Sequence, residues 1–222
     1  MSSSALIAQN LRGVLDRVAG ACARVGRSPD SVTLVAITKS VGVAEIEALA
    51  GLGITHIGEN RVDVAAKKRA ELQTPLTWHM IGNIQRRKAG EVVRLFDTVD
   101  AVDRVEVAEA LQKQAAALGK RLEILLEVNV SGEESKHGFA PSEVSAALDR
   151  IRPMENLAVT GLMTMAPFEN DPERTRPVFR GLATLARDLG LATLSMGMSN
   201  DYEEAIEEGA THVRIGSALF EA

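Results

Sequence analysis

Cysteine occurs once in the 222 residues, and tryptophan and tyrosine occur once each. A lone thiol excludes an internal disulfide and any zinc cluster built from cysteines. Cys22 falls in the helical row Leu11, Val14, Leu15, Val18, Cys22, Val25, where it reads as a small buried hydrophobe and not as a reactive thiol. No apolar run reaches the length of a membrane span. The opening Met1-Ser2-Ser3-Ser4 lacks the basic-then-apolar order of a secretory leader, so a cytoplasmic location without a membrane partner is expected. A surplus of positive charge is missing as well. Lys and Arg number 25 against 30 Asp and Glu, a formal charge of −5, which gives no general attraction to nucleic acid or to an anionic surface. Any anion must be bound by a local device.

What remains is ordinary globular composition, 45% hydrophobic and 25% charged, enough for one sizeable core. Residues 1–222 read as a single domain. An opening helix begins at Leu6 and Ile7 and stops at Gly26. The first strand, 32–39, is a β-branched apolar run that ends abruptly in the amine of Lys39. Helix 43–52 and strand 54–58 follow, with Glu59 and Asn60 just past the strand end. Helix 61–72, strand 76–81, helix 85–95 and strand 97–102 come next, after which Asp103 is placed to cap a helix reaching Leu118. The fifth strand, 122–130, opens into the polar loop 131–138. Helix 141–151, strand 157–163, a helix from about Thr175 to Gly190 with Pro177 in its first turn, strand 192–195, helix 202–208 and strand 211–215 complete the pattern. Strands that alternate strictly with helices pair in parallel, because each return to a parallel neighbour needs a crossover. Eight such units predict a closed (β/α)8 barrel of the TIM type with an extra N-terminal helix. The alternative, an open doubly wound sheet, lacks its glycine-rich fingerprint after the first strand.

In a barrel the ligand site lies at the C-terminal ends of the strands. Polar residues there are Lys39, Asn60, His79 to Asn83, Asp103, Asn129 with Ser131, Ser199 and Arg214, and Lys39 is the clear nucleophile, an amine whose partial desolvation at a strand end would favour its reactive form. Met163 and Met165 join Met196 and Met198 as core or pocket lining. Gly197-Met198-Ser199-Asn200-Asp201 opens one helix and Arg214-Ile215-Gly216-Ser217 opens another, so that backbone N–H groups and hydroxyls are presented to an anion. The competing reading makes Ser199, Asn200 and Asp201 simple helix caps. Arg214, between Val213 and Ile215, is a permanent donor. Against a pyridine nitrogen it would keep that nitrogen unprotonated; otherwise a salt bridge to Glu59 or Asp103 would account for it. His79 could stack on or hydrogen-bond a flat ligand, or be a satisfied structural histidine. His56, His137 and His212 show no metal-site spacing, and the runs Lys67-Lys68-Arg69 and Arg86-Arg87-Lys88 read as solvated helix faces.

Thr38-Lys39, Gly58-Glu59-Asn60, Trp78-His79-Met80-Ile81-Gly82 with Gln85 and Lys88, Asn129-Val130-Ser131 with Ser135-Lys136-His137-Gly138, Gly161-Leu162-Met163, Ser195-Met196-Gly197-Met198-Ser199 with Asp201, and Val213-Arg214-Ile215-Gly216 occur in order. Together they closely resemble the pyridoxal phosphate homeostasis protein family, also called the YggS or PROSC family. The resemblance implies an alanine-racemase-like barrel that binds pyridoxal 5′-phosphate as an imine on Lys39. It further implies Arg214 facing the pyridine nitrogen, Ser199, Gly216 and Ser217 holding the phosphate, and Asn60 and His79 near the ring. The family has no established turnover and is associated with cofactor homeostasis and supply, which makes the apo-forms of other pyridoxal-phosphate enzymes candidate partners. A weak amino-acid racemase of the same fold type is the alternative. Racemisation needs a second base opposite Lys39, a tyrosine in alanine racemases, and the single tyrosine here, Tyr202, starts a helix. A barrel acting on a sugar phosphate through a Lys39 Schiff base would leave the ordered motifs unexplained. Val41-Gly42, Arg87 and Phe220-Glu221 depart from the family pattern without removing a proposed ligand. No long exposed apolar helix is expected, which predicts a monomer.

Overall fold

Eight apolar runs fold into eight short parallel strands, and the last pairs with the first. The computed structural model describes residues 3–221. Its strands are β1 (Thr33–Ile37), β2 (His56–Glu59), β3 (Thr77–Met80), β4 (Thr98–Val102), β5 (Leu122–Glu127), β6 (Leu157–Met163), β7 (Thr193–Met198) and β8 (His212–Ile215). Each pairs with its sequence neighbour, and β8 returns to β1 with Val35 opposite Arg214, closing the barrel. The helices in chain order are α1 (Ser3–Arg24), α2 (Val43–Gly51), α3 (Val62–Glu71), α4 (Ala89–Leu95), α5 (Val105–Ala117), α6 (Val144–Ile151), α7 (Arg176–Asp188), α8 (Tyr202–Glu207) and α9 (Ser217–Phe220). Among the described residues no helix is long and apolar enough to cross a membrane.

Strand alternation divides the side chains between two environments. Leu34, Ala36, Ile57, Val99, Ile124, Leu162 and Val213 join the core between strands and helices, with Ile46, Leu111 and Phe179 from the helices. Each fully buried aliphatic side chain there contributes about 1.5–3 kcal/mol from water exclusion. The opposite faces enclose the barrel interior, where Ala101, Leu125 and Met163 form a small apolar cluster. Branched apolar side chains usually fill such an interior. Here His56, His79, Asp100, Ser195, His212 and Arg214 share it: Ser195 on β7 hydrogen-bonds Asp100 on β4, a contact that only the interior allows.

Several boundaries differ from those the sequence predicts. On α1, Ile7, Leu11, Val14, Val18 and Cys22 are buried as expected, whereas Leu15 is 45% exposed and Val25, just past the helix end, is 41% exposed, because the buried stripe is narrower than the apolar row. Residues 128 and 129 leave β5 early, since Val128 bridges Phe139 and Asn129 N–H donates to the Phe139 carbonyl. The helix expected over 85–95 is a 3-10 turn at Arg86–Lys88 followed by α4. Asp103 does not cap α5. Arg104 occupies the cap position without a side-chain bond, and the Asp103 carboxylate turns instead to the Arg104 guanidinium at 2.7 Å.

Gly161 fixes the contact between β6 and β7. A Cβ there would lie 1.9 Å from the Thr193 carbonyl oxygen, an approach that only backbone displacement could relieve. Gly161→Ala is therefore expected to cost at least about 3 kcal/mol, the upper end of ordinary overpacking. That corresponds to a melting temperature lower by on the order of 10 °C for a chain of this size. An unchanged melting curve would show that the two strands separate freely.

Candidate functional site

The end of β1 carries the amine. Ile37 is the last strand residue and Thr38 is buried, so Lys39 falls in the turn just past the strand and is exposed. Among the described residues its amine has no hydrogen-bond or ion-pair partner. The neighbouring strands approach closely: a Cβ on Gly58 of β2 would come 2.7 Å from Ile37 Cδ1, and one on Gly216, after β8, would come 3.4 Å from Ile37 Cβ.

A buried ion pair lies under this turn. Glu59, fully buried at the end of β2, pairs with Lys68 of α3, which is 8% exposed. Lys68 Nζ also donates to the Thr38 carbonyl at 2.7 Å, Thr38 Oγ1 donates to Glu59 Oε1 at 3.3 Å, and the Asn60 N–H donates to Glu59 Oε2 at 3.2 Å. One pair thus holds the residue before Lys39 together with the backbone of Asn60, whose side chain is exposed. The solvated-face reading of Lys67-Lys68-Arg69 is corrected here. Lys67 is exposed, whereas Lys68 is buried and Arg69 lies over Trp78 and donates to the Leu95 carbonyl. The signal was available, because Lys68 follows buried Val62 and Ala65 at successive intervals of three.

The anion corner is built after β7 and β8. Ser199 Oγ accepts from the Gly216 and Ala218 N–H groups, each at 3.3 Å, so two backbone donors converge on one point. Ser217, exposed, begins α9. Asp201 accepts from the Met198 N–H at 2.7 Å, and burial raises its carboxyl above the usual range. Asn200 donates to the Glu169 carbonyl. Because β8 adjoins β1, this corner sits beside Lys39 and not across the barrel from it.

Arg214, 4% exposed, points into the interior and donates to Ser195 Oγ at 2.9 Å and to the Thr164 carbonyl at 2.9 Å. It pairs with neither expected carboxylate: Glu59 is taken by Lys68 and Asp103 by Arg104. Burial lowers its pKa, opposed by the charges of Asp100, Asp201 and Glu127. His79 lies in the same interior. Its Nδ1 meets Asp100 Oδ1 at 3.0 Å and its Nε2 meets His56 Nδ1 at 2.9 Å, so both nitrogens are engaged below the rim and its ring face is what remains for a ligand. His212 completes a group of three rings, 6.1 Å from His79 between centroids. Burial lowers His56 and takes His212 down to about 4, which leaves both neutral near pH 7. Sequence order gave no hint of this cluster, whose members lie on separate strands. No group of acidic, histidine or cysteine side chains among the described residues is placed to hold a metal ion.

Glu127, inside the mouth on β5, also escaped notice in an apolar run; burial, with Asp103 nearby, raises its carboxyl. The loop 131–138 folds on itself, with Asn129 Nδ2 donating to the Glu133 carbonyl at 2.8 Å and Lys136 Nζ donating to the Met165 carbonyl at 3.1 Å.

A free amine, two converging N–H donors after the adjoining strand and a buried guanidinium in the interior suit an aldehyde that carries a phosphate and a basic ring nitrogen. Comparison with known proteins agrees in family and fold. The profile of the family described as alanine racemase, N-terminal domain, matches residues 15–222. A pyridoxal phosphate homeostasis protein of Pseudomonas aeruginosa is 41% identical over 219 residues, covering 97% of this chain and 95% of that one. A crystal structure of an unknown protein from Bifidobacterium adolescentis superposes with a TM-score of 0.90 at 35% identity, covering 99% of this chain and 96% of that one. PipY of Synechococcus elongatus, solved with pyridoxal phosphate bound, gives a TM-score of 0.79 at 34% identity over 91% of this chain and 99% of its own. An alanine racemase of Clostridium difficile shares the fold, with a TM-score of 0.77 at 16% identity; the match covers 95% of this chain and 56% of that one.

Proposed function

The chain belongs to the pyridoxal phosphate homeostasis proteins within the alanine racemase N-terminal domain family, and from that membership we propose that it holds pyridoxal 5′-phosphate reversibly on Lys39 and releases it to other proteins. The observation that carries this reading is the unpartnered Lys39 amine next to the corner where the Gly216 and Ala218 N–H groups converge on Ser199. When bound, the cofactor supplies an aldehyde that condenses with a primary amine and a ring that withdraws electrons most strongly when its nitrogen is protonated. Lys39 provides the amine. Ser199, Gly216 and Ser217 would hold the phosphate, Asn60 and His79 would lie near the ring, and Arg214 would offer a donor to the ring nitrogen. A guanidinium gives up no proton near neutral pH and therefore leaves that nitrogen unprotonated.

The same residues argue for carriage over turnover. Tyr202 is buried on α8 beneath Arg17, and among the described residues its hydroxyl has no hydrogen-bond partner, so it does not supply a second base at the barrel mouth. We further place the protein in the cytoplasm as a single-domain monomer that hands cofactor to apo-enzymes. Loaded protein mixed with a cofactor-free aminotransferase should restore that enzyme's activity in proportion to the cofactor added, while alanine racemisation stays at background. Racemisation at ordinary enzymatic rates, or loaded protein that yields no cofactor, would overturn the reading.

A further inference from the structure

A chain of hydrogen bonds runs down the barrel from the proposed cofactor site, and donor-acceptor chemistry fixes its direction. Arg214 has only donors, so Ser195 Oγ must accept from Arg214 Nη1 at 2.9 Å. Ser195 has a single hydrogen left to give, and it points to Asp100 Oδ2 at 3.2 Å. Thr98 Oγ1 and His79 Nδ1 converge on the other oxygen, Asp100 Oδ1, at 3.2 and 3.0 Å. With Nδ1 directed at Asp100, the other ring nitrogen of His79, Nε2, meets His56 Nδ1 at 2.9 Å. Every hydrogen in the series therefore points at one buried carboxylate. Burial pushes Asp100 up, but the charge and hydrogen bond of His79, with Arg214 and His212, hold it below the usual carboxylate range.

Among the described residues Arg214 is a buried cation with no carboxylate in direct hydrogen-bond contact. Its balancing charge is Asp100, one hydroxyl away, and that placement fixes its orientation as well as its charge. Glu127 and Asp201 attract the same guanidinium from other directions. Its hydrogen bonds to Ser195 Oγ and to the Thr164 carbonyl hold it on its present line.

We infer that Asp100 and Ser195 are positioning residues that aim Arg214 at the ring nitrogen of the bound cofactor, with His79 and Thr98 fixing Asp100 from the far side. This rests on the cofactor reading above and assigns its electronic control to side chains that never touch the cofactor. Removing either residue frees the guanidinium to turn toward Glu127 or Asp201, and the ring nitrogen loses its fixed donor.

The test uses the full chain as Ser195→Ala, Ser195→Thr and Asp100→Asn, each checked for a native melting curve. Loaded parent protein should show a cofactor spectrum that stays flat through the pH range in which a free ring nitrogen titrates. Ser195→Ala and Asp100→Asn should still be trapped by borohydride on Lys39. Their spectra should acquire a pH-dependent step, and cofactor loss should be on the order of tenfold faster, as for one charge-assisted hydrogen bond. Ser195→Thr, which keeps the hydroxyl, should restore the flat profile. In cofactor-free protein, the Arg214 guanidinium proton signals should be sharp in the parent and broadened by exchange in Ser195→Ala. Failure of the parent to load on Lys39 would overturn the cofactor reading alone, and the cofactor-free measurement would still decide this one. A loaded Ser195→Ala with the parent's spectrum, pH profile and release rate would overturn the positioning role, as would unchanged guanidinium signals. If Asp100→Asn does not fold, Ser195→Ala and Ser195→Thr decide the question.

Discussion

Lys39→Ala is expected to abolish covalent retention of pyridoxal phosphate, with borohydride-trapped label falling from one equivalent per chain to background. The expectation rests on the scarcity of free amines at the barrel mouth. Lys68 is buried, bound to Glu59 and to the Thr38 carbonyl. Lys136 donates to the Met165 carbonyl and pairs with Glu133. Among the described residues Lys39, in the turn past β1, has an unengaged amine beside the converging N–H groups of Gly216 and Ala218. Those donors and Arg214 do not depend on it, so the variant should keep a weak affinity that dilution or dialysis removes. Its stability should stay within about 0.5 kcal/mol of the parent, because the side chain is exposed and carries no packing. Mass mapping of the reduced adduct checks both statements. Label of undiminished yield in Lys39→Ala, on Lys136 or elsewhere, would show that the attachment point had been misassigned.

The barrel was legible because its causes are local. Apolar runs of strand length, glycine stops at Gly26, Gly53, Gly119 and Gly190, and helical stripes between them specify eight strands joined by seven crossovers, and closure follows from the number of strands. The amine after β1 was legible for the same reason, and so were the two helix openings at Ser199 and Gly216, one past β7 and one past β8, whose meeting then follows from the pairing of those neighbouring strands. The chemistry assigned to them came from ordered motifs that resemble a known family, not from spacing. What stayed hidden depends on closure itself. Asp100 meets Ser195 only because β4 and β7 face each other across the interior, and His56, His79 and His212 gather from three strands. The anion corner lies beside Lys39 because β8 pairs with β1. Lys68 was hidden for another reason: a charge run reads as solvated by composition, and only the position of α3 over the ends of β1 and β2 brings that one member under cover.

Lys68→Met is expected to be the most destabilising change near the site, by about 3–5 kcal/mol, the usual result of removing one partner from a buried ion pair. For a chain of this size the melting temperature should fall by on the order of 10 °C. The cause is the carboxylate left behind. Glu59 is 0% exposed, and without Lys68 its remaining donors are the Thr38 hydroxyl and the Asn60 N–H, neither of which carries charge. The Thr38 carbonyl loses one of its two donors in the same step and keeps the Val41 N–H. Adding Glu59→Gln should recover part of the loss, because a neutral amide needs no cation: its oxygen still accepts from the Asn60 N–H, and its NH2 can donate to the Thr38 hydroxyl, whose own hydrogen then goes to the Gly58 carbonyl. If the double variant is instead as unstable as the two single losses added together, the pair is not coupled and its burial does not matter. Because the pair holds the carbonyl that precedes Lys39, Lys68→Met should also slow cofactor capture below the melting transition, whereas a surface control such as Lys67→Met should change neither quantity. The expected order of stability, parent, then double variant, then Lys68→Met, together with slow capture in the last, ties the ion pair outside the barrel to the amine at its mouth.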